Sequence, residues 1–327
     1  MRARGLILVL SWALCVNAFA QIVDEFDGGF NPALPWSWLV VSYNGCQNPA
    51  DTCDYVNTEN NDYPYRFVDG KLEIVMHPWN STYNQWNYAA NFPNLPVLGF
   101  NSGWAIETEV MIDLRGNIPP ANIYSQAGIM LMRDMNNYYQ TMLIIMPPTN
   151  DQPHKFWLST AHEVNCDYQY GGASAGYWGD GQQSFSLKLR LEDGGVDANG
   201  TPLIKVRVRL PDWTDFVDVW PSPFPRPQIV GEVAQNGGRL ALYNVVGFTG
   251  DPQPVVSFSY IRLENIRLGG VIAGDVNGDG CVDDADLLTV LFSFGNTGEE
   301  LPADTNRDCI VDDADLLSVL FNFGTGC

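Results

Sequence analysis

A mainly β chain that ends in a short α-helical segment is what this sequence predicts, on three observations. Apolar residues recur in period-two or continuous runs as far as about residue 268, the signature of strands. The stretches between them are rich in Gly, Pro, Asn and Asp, as turns require. After Gly269-Gly270 the composition changes abruptly, and a helical period appears twice, 29 residues apart.

The strand-like runs are Lys71–Met76, Ala105–Leu114, Ala127–Arg133, Tyr139–Met146, Phe185–Leu191, Leu203–Leu210, Arg239–Val245 and Val255–Leu268. So many strands in one block suit a two-layer sandwich or jelly roll better than a small barrel. No convincing helical period occurs before residue 283, and G-G-A-S-A-G at 171–176 reads as a turn-rich loop.

The first 20 residues read as an export signal. Arg2 and Arg4 precede an apolar stretch from Leu6 to Val16, and Ala18-Phe19-Ala20 supplies a small-x-small cleavage site before Gln21. The apolar run is too short to span a bilayer, so no membrane span is expected in the mature chain. The expected product is secreted or held at the cell surface. Its domains are 21–270 and 271–327.

The whole chain carries a formal charge of −21, and loss of Arg2 and Arg4 with the leader makes it −23. Nucleic acid demands a basic footprint, so that class of partner is excluded. A neutral polymer or a cation is the better match. Of the cysteines beyond the leader, Cys46 and Cys53 bracket a short loop and form the simplest disulfide pair. No C-x-x-C doublet points to zinc.

Residues 271–327 hold twelve Asp or Glu and a single Arg, and V-D-D-A-D-L-L-T-V-L-F-S-F-G at 282–295 recurs as V-D-D-A-D-L-L-S-V-L-F-N-F-G at 311–324. Each copy opens with an oxygen-rich loop. The first offers Asp275, Asn277, Asp279, Cys281, Asp283 and Asp286, and the second Asp304, Asn306, Asp308, Ile310, Asp312 and Asp315. Loop positions 1, 3, 5, 7, 9 and 12 wrap a hard cation, position 7 through a backbone carbonyl, hence two Ca2+ sites. Helices are expected over Asp283–Phe294 and Asp312–Phe323. Position 6 favours glycine because the turn has positive φ, and the second loop has Cys309 there.

This duplicated segment resembles a dockerin module, whose position 12 is Asp as it is here. The resemblance implies docking to a cohesin-like domain or other surface receptor, with Asp284-Ala285 and Asp313-Ala314 at the partner-selecting positions. Where dockerins often carry basic residues, this chain has Leu291-Phe292 and Leu320-Phe321. Those pairs imply either a different receptor or burial inside the module. Dockerin termini lie close together, which makes Cys327 a natural partner for Cys281 or Cys309.

The runs D-E-F-D-G-G-F and W-S-W, D-G-K-L-E-I, G-W-A-I-E-T-E-V-M-I-D, Q-A-G-I-M-L-M-R-D-M-N-N-Y-Y and V-S-F-S-Y-I-R-L-E-N-I occur in this order from residue 24 to 266. They are similar to concanavalin A-like (laminin-G-like) jelly rolls of the lectin and glucanase kind, such as those appended to secreted glycosidases. That likeness concerns strands and turns, so it speaks for fold before activity.

Two sites follow as candidates in the β domain. Period two puts Glu107, Glu109 and Asp113 on one face of a strand. Family 16 glycosidases mount their carboxylates in similar order on one strand, and a retaining mechanism needs two carboxyls about 5 Å apart. An amphipathic strand with its polar face outward explains the same residues without catalysis. The second candidate is the loop holding Trp79, Tyr83, Trp86 and Tyr88, where rings interleave with Asn and Gln. Such a loop can stack and hydrogen-bond a polysaccharide. Three functional readings result: a glycan-binding component of a polysaccharide-degrading or surface assembly, a glycoside hydrolase, and a structural surface protein.

Overall fold

A 22-residue strand from Phe92 to Asp113 organises the β domain in the computed structural model. The structure describes residues 21–40, 55–57, 65–75, 92–118, 125–134, 137–149, 151–165, 167–245, 254–269, 274–277, 281–297, 301, 303–305 and 310–325. The described residues hold sixteen strands: β1 (Gln21–Asp24), β2 (Ser37–Val40), β3 (Tyr55–Asn57), β4 (Tyr65–Phe67), β5 (Leu72–Val75), β6 (Phe92–Asp113), β7 (Ser125–Asp134), β8 (Asn137–Met146), β9 (Lys155–Val164), β10 (Asp167–Trp178), β11 (Ser184–Val196), β12 (Pro202–Arg209), β13 (Val217–Asp218), β14 (Phe224–Pro225), β15 (Gly238–Val245) and β16 (Val255–Leu268). The helices are α1 (Gln228–Asn236), α2 (Asp284–Ser293) and α3 (Asp313–Asn322).

Every pairing is antiparallel, in the order β10-β9-β8-β7-β15-β6-β11-β12-β13, with β16 also on β6. The start of β6 pairs with β2 and β15, and its later part with β16 and β11. One long strand thus serves both layers of a sandwich. Between the layers lies a single core in which Ile129, Leu131, Leu143 and Leu158 share a cluster with Ile106, Val110, Leu189, Val206 and Phe258. This is the mainly β, antiparallel architecture the period-two runs predict.

Burial departs from simple alternation on β8. Its eight central residues, Tyr138–Ile145, are all buried, because the face of β7, β8, β9 and β15 that turns away from the core is covered too. Met130, Met132, Tyr138, Met142, Ile144, Ala161, Ala241 and Tyr243 form a second apolar cluster there. Covered faces give continuous apolar runs, as on Met142–Met146.

Two expectations need correction. A helix does precede residue 283: α1 buries Ile229, Val230, Val233 and Ala234. It is short, β-branched and has no side-chain N-cap, so neither length nor capping announces it. The Gly-rich 171–176 segment lies within β10, whose pairing with β9 slips between Tyr170 and Ser174 and again between Ala175 and Tyr177. Glycines here accommodate bulges in an edge strand. The D-E-F-D-G-G-F and W-S-W runs also gain a physical role: buried Asp24 accepts from the amides of Phe26 (3.0 Å) and Asn31 (2.8 Å) and from Trp36 Nε1 (2.7 Å).

In residues 274–325 the repeat becomes a pseudo-twofold unit. The Gly324 amide donates to Val282 O (2.7 Å) and the Val282 amide to Thr325 O (2.9 Å). Reciprocally, Gly295 donates to Val311 O (2.8 Å) and Val311 to Asn296 O (2.9 Å). Val276, Val282, Val290, Ala303, Val311 and Val319 make a small core of their own. Gly295 and Gly324, at φ 82° and 84°, turn the chain just past the two helices, where glycine is unstrained. No helix among the described residues is long and apolar enough to cross a membrane.

Candidate functional site

The acidic strand face is real, and it is ion-paired. Glu107 and Glu109 lie on the face of β6 turned away from the apolar core, opposite Arg190 and Lys188 of β11. Glu107 is buried at 6% exposure, which removes its carboxylate from water and demands partners. Arg190 Nη1 donates to its Oε2 at 3.0 Å, Tyr260 Oη to its Oε1 at 2.7 Å, and Arg262 Nη1 stands 3.4 Å from Oε1. Arg190 also binds both oxygens of Glu264 (3.0 and 2.9 Å) and Glu192 through Nε (2.6 Å).

Burial alone would lower the basicity of Arg190; its bonds to Glu264, Glu192 and Glu107 more than offset that and raise it. Arg190 in turn holds Glu264 below the usual carboxylate value, against burial. Burial and the adjacent Glu107 push the Tyr260 hydroxyl up, so it stays a protonated donor. Tyr260 is placed by a bulge: the β16–β6 register shifts between Phe258 and Ile261, and the inserted residue re-aims the ring. Glu109 has Lys188 Nζ at 3.8 Å, while Asp113 Oδ1 accepts the Arg115 amide at 2.9 Å and closes a turn. The three candidate acids share a face, but each is engaged with a neighbour of its own.

The repeat loops show a different kind of order. Asp286 and Asp315 are fully buried. Asp286 Oδ1 accepts the amides of Val276 (2.7 Å) and Asn277 (3.0 Å), and Oδ2 that of Asp283 (2.9 Å). Asp315 does the same for Thr305 (2.6 Å) and Asp312 (2.9 Å). Each carboxylate therefore ties the start of its loop to the start of its helix. Asp283 and Asp312 are N-caps that accept from Ala285 and Ala314, completing capping boxes on α2 and α3.

The donors fit a hard, oxygen-seeking cation in kind. Cys281 is disulfide-bonded, so it can offer a carbonyl but no thiolate. Asp275 is buried beside this loop, and Asp304 is half-buried in its counterpart. Asp279, Asn306 and Asp308 lie outside the described residues, as does the cysteine joined to Cys281. Among the described residues no cluster of three or more His, Cys, Asp or Glu is drawn together as a metal site.

Of the histidines, His154 is buried with Nε2 2.7 Å from Gln182 O. His162 faces Tyr139 across β8 and β9, and burial lowers its pKa while Asp167 opposes the effect. The aromatic candidates Trp79, Tyr83, Trp86 and Tyr88 lie outside the described residues. One ring that the sequence reading passed over stands out: Trp220 is 78% exposed. Its segment is anchored beneath, with Ser174 N donating to Trp220 O (2.9 Å) and Val206 N to Ser222 Oγ (3.0 Å). The W-P-S-P-F-P run was the available signal, since prolines exclude the ring's segment from a regular strand.

No family model matches the chain, and no curated protein does. Among solved structures it is similar to a xylan beta-1,4-xylosidase from Bacillus halodurans C-125, with a TM-score of 0.46 at 9% identity, covering 74% of this chain and 38% of that one. It is also similar to an endo-1,3-beta-glucanase from Streptomyces sioyaensis (TM-score 0.41, 15% identity, 75% and 96% covered) and to lectin I-B4 of Griffonia simplicifolia (0.34, 12%, 62% and 90%). The chain thus spans well under half of the xylosidase.

Proposed function

We propose that this is an exported protein whose β-sandwich holds a glycan and whose last 57 residues form a calcium-folded attachment module. The observation that carries the reading is the equivalence of Asp286 and Asp315. A fully buried carboxylate in an acidic segment is costly, and two of them in identical hydrogen-bonded positions make sense as the closing residues of two cation loops. Calcium would be held by Asp275, Asn277, Asp279, Asp283 and Asp286 with the Cys281 carbonyl, and by the corresponding set from Asp304 to Asp315 with the Ile310 carbonyl. When bound it supplies charge neutralisation and folding free energy. A cohesin-like or other surface receptor is the partner such a module implies.

Binding is favoured over hydrolysis in the sandwich by the state of Glu107. A retaining hydrolase needs a carboxylate able to attack the sugar and a second able to exchange a proton. Glu107 is instead buried beneath Arg190, Arg262 and Tyr260, and both of its oxygens already accept from them. A panel of neutral and acidic polysaccharides tests this, with retention and reducing-end release read together for the chain from Gln21 onward. Retention without release is expected. Release from any member would make the sandwich an enzyme.

A further inference from the structure

The outer face of β11 and β12 concentrates cations in an otherwise acidic chain. On β12 the core takes Ile204, Val206 and Val208, while Lys205, Arg207 and Arg209 stand on the other side. They lie opposite Glu192, Arg190 and Lys188 of β11. Arg190 against Arg207 and Lys188 against Arg209 are like-charge cross-strand pairs, which a sheet tolerates only with counter-ions. Those are present: Arg207 Nε stands 3.0 Å from Asp218 Oδ1, and Lys188 Nζ 3.8 Å from Glu109. Glu192 is engaged by Arg190 Nε at 2.6 Å and Arg207 Nη1 at 3.7 Å. Lys205, across from that same Glu192, is left with no ion pair among the described residues.

The turn beside Lys205 carries the exposed indole. Arg207 pairs with Asp218 and Ile204 with Phe224, so only Lys205 and Val206 of β12 face the whole of 219–223. The surplus residues must loop out there. Val206 pins both ends of the loop, accepting the Val219 amide at 2.9 Å and donating to Ser222 Oγ at 3.0 Å. From β10, the Ser174 amide fixes the Trp220 carbonyl at 2.9 Å. Two rings stand on this edge, four residues apart. Phe216 is already covered, with the Arg207 and Arg209 guanidinium groups 5.9 and 5.6 Å from its centre. Trp220, 78% exposed, is open to an outside ring.

We infer that Trp220 and Lys205 form a seat for an anionic sugar, a ring that bears a carboxylate or a sulfate ester. The proposal rests on the glycan reading of the sandwich and names the class of glycan. The apolar face of the sugar covers an indole that already stands in water on a braced segment. The Lys205 ammonium, on its flexible stem, meets the acidic group as a point charge. A neutral sugar would use the indole alone and leave that charge unanswered. The chain's net charge of −21 does not forbid an anion here, because charges more than about 10 Å away are largely screened at ordinary ionic strength. The nearest acid on this edge, Asp218, is held by Arg207.

Calorimetry on the full chain from Gln21 tests it with two pairs of probes that differ only in charge. One pair is tetragalacturonate and its methyl ester; the other is sulfated and unsulfated dextran oligosaccharide. In at least one pair the anionic member should bind about fivefold more tightly, the scale of one exposed ion pair. The pair that shows the preference tells carboxylate from sulfate. Lys205→Met should erase the preference and leave the uncharged member's affinity unchanged. Trp220→Ala should weaken both members, by about tenfold. Thermal midpoints of both variants should match the parent's. Equal affinity within both pairs, or a preference that survives Lys205→Met, would overturn the proposal. Binding untouched by either variant would overturn the seat and leave the glycan reading standing elsewhere on the sandwich. If none of the four probes binds, the seat is wrong, and retention on the wider polysaccharide panel then decides the glycan reading by itself.

Discussion

Arg190 Nη1 lies 3.0 Å from Glu107 Oε2, and the same guanidinium holds both oxygens of Glu264 through Nη1 and Nη2. One cation thereby ties the facing surfaces of β11, β6 and β16 together. Arg190→Met would leave Glu107, which is nearly inaccessible, with one of its partners gone. Removing one side of a buried pair costs on the order of 3 kcal/mol, and urea unfolding should show that loss. Glu107→Gln keeps an acceptor for Tyr260 and should cost less, about 1 kcal/mol. An Arg190→Met protein as stable as the parent would mean that the lattice contributes little.

Acid should attack the same lattice. Arg190 holds Glu264 below its ordinary value of 4.5. The folded state thus binds that proton less readily than the unfolded chain, and the resulting stability is fully present above about pH 4.5. It is lost as pH falls through the depressed value. Thermal midpoints recorded downward from pH 6 should decline below pH 4.5, and Glu264→Gln should flatten part of that decline. A parallel decline in both proteins would place the acid sensitivity elsewhere.

How much of this was legible in advance depends on sequence distance. The eight strand runs and the two module helices were readable because periodicity and capping are local: Asp283 and Asp312 head α2 and α3 as their spacing predicts. The face carrying Glu107 and Glu109 was readable from period two. Its meaning was not, because Arg190, Tyr260 and Arg262 come from 83, 153 and 155 residues away. Strand β10 was passed over because it is Gly-rich and bulged. The display of Phe292 and Phe321, 85% and 82% exposed, was undecidable from sequence, since an apolar helix stripe normally faces a core and here the core takes the valines.

Calcium should fold the module. With Asp286 and Asp315 fully buried in a segment of twelve acidic residues and one Arg, the metal-free segment pays for that burial without neutralisation, so helix content should rise on adding millimolar Ca2+ and fall in chelator. About two ions per chain are expected by calorimetry. Asp286→Asn and Asp315→Asn keep an acceptor for the loop amides but remove a charge, and each should weaken one site and spare the other. No heat and no helical gain would end the calcium assignment.

The remaining prediction separates binding from turnover in the sandwich. Sugar rings present apolar faces that stack on indole, and an indole already in water gains most from being covered. Trp220 is such a ring, fixed on a segment braced by Ser174, Val206 and Ser222, so ordering it costs little on binding. If glycan is held by exposed aromatics, Trp220→Ala, Trp79→Ala and Trp86→Ala should weaken retention on polysaccharide, by about 1–3 kcal/mol for each ring that stacks. Affinity electrophoresis would rank the three. Stability should be unchanged for Trp220→Ala, because the side chain packs against little. Glu107→Gln should leave retention intact, as its carboxylate faces Arg190 and Tyr260 rather than solvent. Reducing ends released by the parent and lost in Glu107→Gln would reverse the assignment, making the ion-paired face the reactive one.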